Sequence, residues 1–256
     1  MSSDLFIASP PPRRGFFARF AKAAAKVPNG LRVYAVGDIH GCSGQLAQLL
    51  RAILEEPWHG DKYLIFLGDY CDRGPDTKGV IDRLLALRPG VRACFLKGNH
   101  DQTLLDFLDD PSVYRLWSGF GADQTLASYG VAPPESLDDC ALRDARDRFA
   151  AALPPQHRRF LKNLSPSTRV GDYFFVHAGV RPGVALERQT DEDLLWIRDE
   201  FLMATAPFGA VVVHGHTPSE APVRRANRIG VDTGAYLTGR LSAAVLEGDD
   251  CRFLFA

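Results

Sequence analysis

The chain lacks the features of a secreted, membrane-spanning or nucleic-acid-binding protein. Its five cysteines, at positions 42, 71, 94, 140 and 251, are odd in number and form no CxxC pair, so we expect reduced thiols and a cytoplasmic protein. No apolar run approaches the ~18 residues needed to cross a bilayer. The formal net charge of −1 argues against nucleic acid as a partner. With 256 residues, no internal repeat and no low-complexity linker after residue 30, one domain is expected.

Residues 1–30 differ in composition from the rest of the chain. The proline-rich, basic stretch ASPPPRR is followed by FFARFAKAAAK. On a helix, the phenylalanines would share one side and the basic residues another, so weak contact with a membrane surface through residues 13–26 is one interpretation. A tail that packs on its own domain or stays mobile is the other. We therefore predict a basic, flexible N-terminal segment over residues 1–30.

Strands and helices alternate from Leu31 onward. The apolar runs RVYAV, KYLIFL and VRACFLK predict strands, and the segments between them have helical spacing of apolar residues. This order is typical of a parallel sheet in an α/β fold. Residues 102–163 are predicted to be largely helical. Strands are then predicted in DYFFVHAG, GAVVVHGHT, RIGVDT, LSAAVLEG and CRFLFA, with one helix over TDEDLLWIRDEF.

Polar residues cluster where these apolar runs end. GDIHG, GDYCDRG, GNHD and VHAG lie at the C-terminal ends of such runs, and HGHT closes another. That edge of an open α/β sheet is where ligands bind. One histidine at a strand end is usually structural, but five of the seven histidines fall in these loops. Asp, His and Asn donors suit Mn²⁺, Fe or Zn²⁺. Their number favours two metal ions that share a carboxylate.

In this order, the five motifs strongly resemble those of the phosphoprotein phosphatase branch of the calcineurin-like metallophosphoesterases. The stretches RVYAVGDIHG, TLASYG, FVHAGVRPG, LLWIRDEFL, VVVHGHTP and VDTGAYLTGRL are similar to bacterial serine/threonine phosphatase-like members. The resemblance covers about residues 31 to 247. It implies an α/β fold, a four-layer α/β-β/α sandwich with mixed sheets, and a catalytic domain over residues 31–256.

The resemblance also implies a role for each motif residue. Two divalent ions are expected, with Mn²⁺ preferred over Fe or Zn²⁺, and a hydroxide between them would attack phosphorus in line. The first ion would be held by Asp38, His40 and Asp69. Asp69 would bridge to the second ion, whose other ligands would be Asn99, His177 and His216. His214 is expected to be a buried or supporting histidine instead.

Four further residues are implied to act on the substrate. Asp72 would pair with His100, and His100 would be the general acid for the leaving oxygen. Arg73 would bind phosphate oxygens as a fork. Arg198 is the expected second phosphate arginine, and an arginine on a helix surface is the alternative.

The favoured function is hydrolysis of phosphate monoesters, with phosphoserine or phosphothreonine in proteins and peptides as substrates and phosphotyrosine as an additional one. A symmetrical dinucleoside-tetraphosphate hydrolase or a broad small-molecule phosphatase is the alternative. Asp101 weakens the substrate assignment, because GNHD replaces the GNHE of eukaryotic protein phosphatases and also occurs in dinucleotide hydrolases. A metal-binding regulatory module is the non-enzymatic alternative. Cys71, between Asp69 and Asp72, is interpreted as a small apolar filler, with redox sensitivity as the alternative.

Overall fold

The computed structural model describes residues 24–256. Its strands are β1 Leu31–Val36, β2 Asp61–Phe66, β3 Arg92–Phe95, β4 Ser167–Val170, β5 Tyr173–Val176, β6 Val211–His214, β7 Val223–Arg224, β8 Arg228–Gly230, β9 Ser242–Glu247 and β10 Asp250–Phe255. Its α-helices are α1 Ser43–Glu55, α2 Thr77–Leu85, α3 Asn99–Asp109, α4 Tyr114–Trp117, α5 Ala122–Ser128, α6 Asp139–Ala152, α7 Pro155–Lys162, α8 Asp191–Trp196, α9 Asp199–Leu202 and α10 Ala235–Thr238. The strands form two five-stranded sheets, ordered β10-β9-β1-β2-β3 and β4-β5-β6-β8-β7.

The first sheet has hydrophobic layers on both faces. Successive side chains of a strand point to opposite faces, and β1 is apolar on both. Tyr34 and Val36 belong to the core formed with α1 and α2. Val33 and Ala35 belong to the core between the sheets, together with Phe175 of β5. The uniformly apolar run in the sequence is therefore that of a strand buried on both sides.

The outer face of the second sheet is covered by helices as well. Phe174 and Val176 of β5 pack in one cluster with Leu194 of α8 and Phe201 of α9. Both sheets are mixed: β1, β2 and β3 are parallel while β9 is antiparallel to β1, and β4 is antiparallel to β5 while β6 is parallel to it. The predicted four-layer α/β-β/α sandwich with mixed sheets is confirmed.

The prediction of one continuous helix over TDEDLLWIRDEF is wrong. It forms two short helices, because Ile197 is extended (ψ 139°) and Arg198 has φ −129° and ψ −99°. The sequence pattern also missed β4 and β7, which lie at the two edges of the second sheet. Both are short and partly exposed, so they lack the apolar run by which the other strands were found.

Residues 102–163 are largely helical, as predicted, and run from α3 to α7. Within residues 24–256, no helix is both long and apolar enough to cross a membrane. The prediction of membrane contact through residues 13–26 lies mostly outside the described residues. Of the predicted N-terminal segment, Val27 is buried and its amide donates to Gly248 O at 3.0 Å.

Candidate active site

The loops that follow β1, β2, β3, β5 and β6 meet at one edge of the sandwich. Within the described chain, only five non-glycine residues have a positive φ, and all lie in these loops: His40 at 45°, Asp69 at 54°, Asp72 at 70°, Arg73 at 65° and His216 at 64°. Such a conformation costs about 1–3 kcal/mol per residue and persists only where the surrounding structure holds it. This concentration of backbone strain indicates a functional site.

Asp69 lies at the centre of the site. Its Oδ2 is 3.4 Å from His40 Nε2 and 3.5 Å from His177 Nε2. His100 Nε2 is 3.9 Å from the same oxygen. Asp69 therefore belongs to two groups of donors, one with His40 and His100 and the other with His177 and His216. Asp69 thus lies where a carboxylate shared by two ions would have to lie, and its role as a bridge stays a prediction.

Hydrogen bonds outside the cluster orient two of its imidazoles. His177 Nδ1 lies 2.9 Å from Leu67 O, and His40 Nδ1 lies 2.9 Å from Cys71 O. Because a carbonyl oxygen only accepts, each Nδ1 carries the proton, and each Nε2 offers a lone pair to the cluster. Burial lowers the pKa of His40 to about 4, so its ring is neutral, which is the form that binds metal.

The resulting contacts place acceptors against acceptors. His177 Nε2 faces Asn99 Oδ1 at 2.9 Å, and Asp69 Oδ2 lies 3.5 Å from it. Among the described residues, the one neighbour of this nitrogen that can donate to it is His216 Nδ1, at 3.1 Å. Lone pairs that face one another in a buried site call for a cation between them. The donor set of carboxylate, amide and imidazole therefore fits divalent metal ions.

Unpartnered atoms support the same conclusion. Asp38 Oδ2 accepts the His216 amide at 2.9 Å. Asp38 Oδ1 and His216 Nε2 are buried and have no hydrogen-bond partner within residues 24–256. His214 Nε2 is also unpartnered, but its ring packs edge-on against Phe201. As the sequence predicted, His214 is buried, and it belongs to neither donor group.

Asp72 and His100 form the expected pair. His100 Nδ1 lies 2.7 Å from Asp72 Oδ2, so Nε2 faces the Asp69 carboxylate. Burial alone would lower the pKa of His100. The negative charges of Asp69 and Asp72 and the hydrogen bond to Asp72 outweigh it and raise this pKa above its ordinary value. The geometry suits an imidazole that holds a proton at the edge of the cluster.

Two arginines lie on opposite rims of the site. The exposed Arg73 donates from NH1 to the Tyr236 hydroxyl at 3.1 Å and stacks over that ring at 4.8 Å. Arg198 donates from NH1 to His216 O at 3.1 Å and lies 3.3 Å from Thr217 Oγ1. Arg198 is exposed at the break before α9, where its guanidinium contacts the HGHT loop, and its role in binding phosphate stays a prediction.

We expect Arg73→Lys and Arg198→Lys each to lower kcat/KM for p-nitrophenyl phosphate by about tenfold or more. Lysine keeps the charge but loses the planar fork that binds two phosphate oxygens. The matched control is Arg148→Lys, because Arg148 is half-exposed on α6 and pairs only with exposed groups such as Asp144. Steady-state kinetics of the three variants decide the matter. Wild-type rates for both site variants would rule out a role in phosphate binding.

The structure gives Asp101 a local role. Its Oδ2 accepts the backbone amides of Asp69 and Gly98, each at 2.9 Å, and its Oδ1 accepts that of Tyr70 at 3.0 Å. A fully buried carboxylate thus holds the loop that carries Asp69. In this structure Asp101 therefore supports the backbone of the loop and makes no contact that points to a particular substrate.

Cys71 is fully buried. Burial and the neighbouring carboxylates of Asp72 and Asp101 raise the pKa of its thiol well above the usual value. A raised pKa keeps the thiol protonated, and a protonated thiol is a poor nucleophile. This favours the interpretation of Cys71 as an apolar filler.

Sequence reasoning missed three residues at the site. Trp117 and Thr125 hydrogen-bond to Asp72 from α4 and α5. Thr125 opens the TLASYG stretch, which resembles the family, but nothing in the sequence assigns either residue to Asp72. Asp232 is buried near Asp38. The pKa of Asp38 is raised first by the burial of Asp38 and next by the negative charge of Asp232. A signal for Asp232 was present, because VDTG follows an apolar run just as GDIHG does.

An α/β sandwich with a strained, buried cluster of carboxylates and imidazoles at its strand ends defines a metal-dependent hydrolase. The family model of the calcineurin-like phosphoesterases matches residues 31–249. The chain belongs to this family and is a hydrolase that acts on phosphoester bonds.

Individual relatives differ in the substrates that their names record. The chain is 30% identical to serine/threonine-protein phosphatase 1 of Salmonella typhimurium over 226 residues, 86% of this chain and 94% of that protein. It is 27% identical to the asymmetrical bis(5'-nucleosyl)-tetraphosphatase PrpE of Geobacillus thermodenitrificans over 233 residues, 83% of this chain and 89% of that protein. A crystal structure described as "a putative diadenosine tetraphosphatase" superposes with a TM-score of 0.62 at 26% identity, over 91% of this chain and 98% of that one.

Proposed function

We propose that this enzyme hydrolyses phosphate monoesters at a pair of divalent metal ions, and that its substrates are phosphoserine and phosphothreonine in proteins. The observation that carries the proposal is the position of Asp69, whose Oδ2 lies within 3.9 Å of three imidazole nitrogens. A carboxylate shared by two groups of donors can hold two ions as close together as a two-metal centre for phosphoryl transfer needs. The full-length similarity to serine/threonine-protein phosphatase 1 supports the choice of substrate.

The first ion would be held by Asp38, His40 and Asp69, and the second by Asp69 together with Asn99, His177 and His216. When bound, such ions activate water and neutralise phosphoryl oxygens. The oxygen and nitrogen donors suit Mn²⁺, which is the ion that we propose, with Fe and Zn²⁺ as competitors. All five cysteines are unpaired, which supports a reducing, cytoplasmic location.

The remaining side chains would orient the ester and supply the proton. Arg73 and Arg198 would hold the non-bridging phosphoryl oxygens from opposite rims. Attack of water on phosphorus breaks the bond to the leaving oxygen. His100 would then deliver its Nε2 proton to that oxygen, while Asp72 holds the ring through Nδ1. An alkoxide such as that of serine needs this proton, because it leaves poorly as an anion.

A second candidate function is hydrolysis of dinucleoside tetraphosphates. Two half-buried aromatic rings line the site: the Phe120 ring lies 5.3 Å from that of His100 and 6.1 Å from that of Trp196. Trp196 in turn lies 6.5 Å from His216. Such rings offer stacking surfaces to a nucleobase. The names of the PrpE relatives point the same way.

One experiment compares the two candidates. The protein is stripped with chelator and reconstituted with Mn²⁺. Phosphate release is then measured from phosphoserine, phosphothreonine and phosphotyrosine peptides, beside hydrolysis of diadenosine tetraphosphate. We expect kcat/KM for the phosphoserine and phosphothreonine peptides to exceed that for the dinucleotide by about tenfold or more.

Faster hydrolysis of the dinucleotide would overturn the protein-phosphatase proposal. The products would then distinguish the two dinucleotide reactions, since symmetrical cleavage yields two molecules of ADP and asymmetrical cleavage yields AMP and ATP. Turnover of no substrate by metal-loaded protein would contradict both candidates and favour a regulatory metal-binding role.

A further inference from the structure

We propose that Trp117 and Thr125 are positioning residues for the general acid, and that they act through Asp72. This inference rests on the proposed ester hydrolysis, in which His100 protonates the leaving oxygen. Trp117 and Thr125 lie in the helical segment between β3 and β4. Neither belongs to a motif at a strand end. The segment would thus complete the catalytic pair.

Three side chains of the described residues donate hydrogen bonds to the Asp72 carboxylate. Trp117 Nε1 donates to Oδ2 at 2.8 Å, beside the 2.7 Å contact of His100 Nδ1 to the same oxygen. Thr125 Oγ1 donates to Oδ1 at 2.7 Å. Asp72 is fully buried, so no water is needed to satisfy these oxygens. Three donors leave the carboxylate one orientation, and His100 takes its ring orientation from it.

The protons in this network can be assigned. Thr125 Oγ1 has a single proton, which goes to Asp72 Oδ1, and its lone pairs accept the Asp72 backbone amide at 2.8 Å. Its contact with Thr77 Oγ1 at 3.1 Å must therefore be donated by Thr77. Thr125 thus holds both the side chain and the backbone of Asp72, a residue whose φ of 70° is strained.

The supports are themselves rigid. Trp117 is fully buried, and its ring packs against Phe107 at 5.0 Å and Phe149 at 6.3 Å. Thr125 is fully buried as well. Side chains whose rotamers are locked by packing can hold a catalytic group within the small tolerance that proton transfer needs.

A positioning role predicts that the defect depends on the leaving group. We compare Trp117→Phe and Thr125→Val with wild type in Mn²⁺-loaded enzyme. The serine oxygen of a phosphoserine peptide needs a proton in order to leave. The leaving group of p-nitrophenyl phosphate is p-nitrophenolate, which is stable as an anion and does not need one. We expect kcat to fall by about tenfold or more for the peptide and by less than about threefold for the nitrophenyl ester, with KM little changed. The Thr125→Ser variant should retain most of the wild-type rate on the peptide, because serine keeps the hydroxyl group.

Phe160→Leu is the matched control. Phe160 is buried in the same cluster as Trp117, but its ring packs on Tyr70 and Phe95 and it makes no hydrogen bond to Asp72. It should lower both rates by one common factor. Equal losses on the two esters in Trp117→Phe and Thr125→Val would show that these residues act through stability alone, and would overturn the inference.

A second measurement does not depend on turnover. The His100 Nδ1 proton, bonded to a carboxylate, should give a downfield proton NMR signal that is absent in His100→Asn. We expect this signal to move upfield or broaden in Trp117→Phe and Thr125→Val, and to stay in place in Phe160→Leu. An unchanged signal in both site variants would overturn the inference, whether or not the wild-type enzyme hydrolyses either ester. Failure of the wild-type enzyme to hydrolyse both esters would instead count against the proposed function alone.

Discussion

Asp69→Asn is expected to lower kcat on phosphate esters by a factor on the order of 10³ or more. The Asp69 carboxylate lies in both donor groups, so one substitution affects both proposed ions. Asparagine has the same shape but no charge, and it offers one oxygen and an NH₂ group in place of two acceptors. Turnover of a phosphopeptide and the number of Mn²⁺ ions retained after dialysis are the two measurements. We expect the metal count to fall from two per chain to one or none.

The control makes the same chemical change at an exposed position. Asp106 lies on α3, where its carboxylate accepts from the Gln102 side chain, and Asp106→Asn should keep full activity and both ions. A melting temperature close to wild type would show that Asp69→Asn is folded. Activity of Asp69→Asn within tenfold of wild type would contradict a shared carboxylate as the centre of the chemistry.

Gly215→Ala is expected to weaken Mn²⁺ binding by about ten- to a hundredfold, the usual cost of disturbing a group that orients a ligand. Gly215 precedes His216, and a Cβ atom placed there would collide with Asp38 Oδ1. That oxygen is one of the buried atoms without a partner within residues 24–256. The alanine would therefore push aside a proposed ligand while leaving every side chain of the site in the sequence. Titration of the apo protein with Mn²⁺ measures the effect.

Gly119→Ala is the matched control, because nothing lies within 4 Å of a Cβ added at Gly119. Its Mn²⁺ affinity should equal that of wild type. Excess Mn²⁺ should restore part of the activity of Gly215→Ala, since the chemistry is intact once the ion binds. Equal Mn²⁺ affinity in both alanine variants would mean that Asp38 does not hold the metal.

Local signals predicted much of the fold and the site. GDIHG, GDYCDRG and GNHD follow apolar runs that form β1, β2 and β3, and parallel strands bring their C-terminal ends to one edge. The structure places Asp69 beside His40 and His177, as the motif order implied. The roles of these residues as ligands stay predictions, which the Asp69→Asn and Gly215→Ala experiments test.

Other features could not be predicted, because they depend on contacts between distant parts of the chain. The break in the helix before Arg198 allows its guanidinium to reach the HGHT loop, whereas the apolar periodicity of LLWIRDEF alone indicated a continuous helix. The edge strands β4 and β7 exist because neighbouring strands pair with them. Their own sequences are short and partly polar.

Local sequence supplies the chemistry of the site: Asp, Asn and His at strand ends, beside glycines that let neighbouring loops approach closely. It determined the layers as well, because an apolar run such as that of β1 must be buried on both faces. The groups that orient the reactive side chains, in contrast, are set by contacts between distant parts of the chain. Trp117 and Thr125 lie 45 and 53 residues from Asp72, and Asp101 lies 32 residues from the Asp69 amide that it holds. Hydrogen bonds of that span depend on how helices pack on a sheet, which no local pattern encodes.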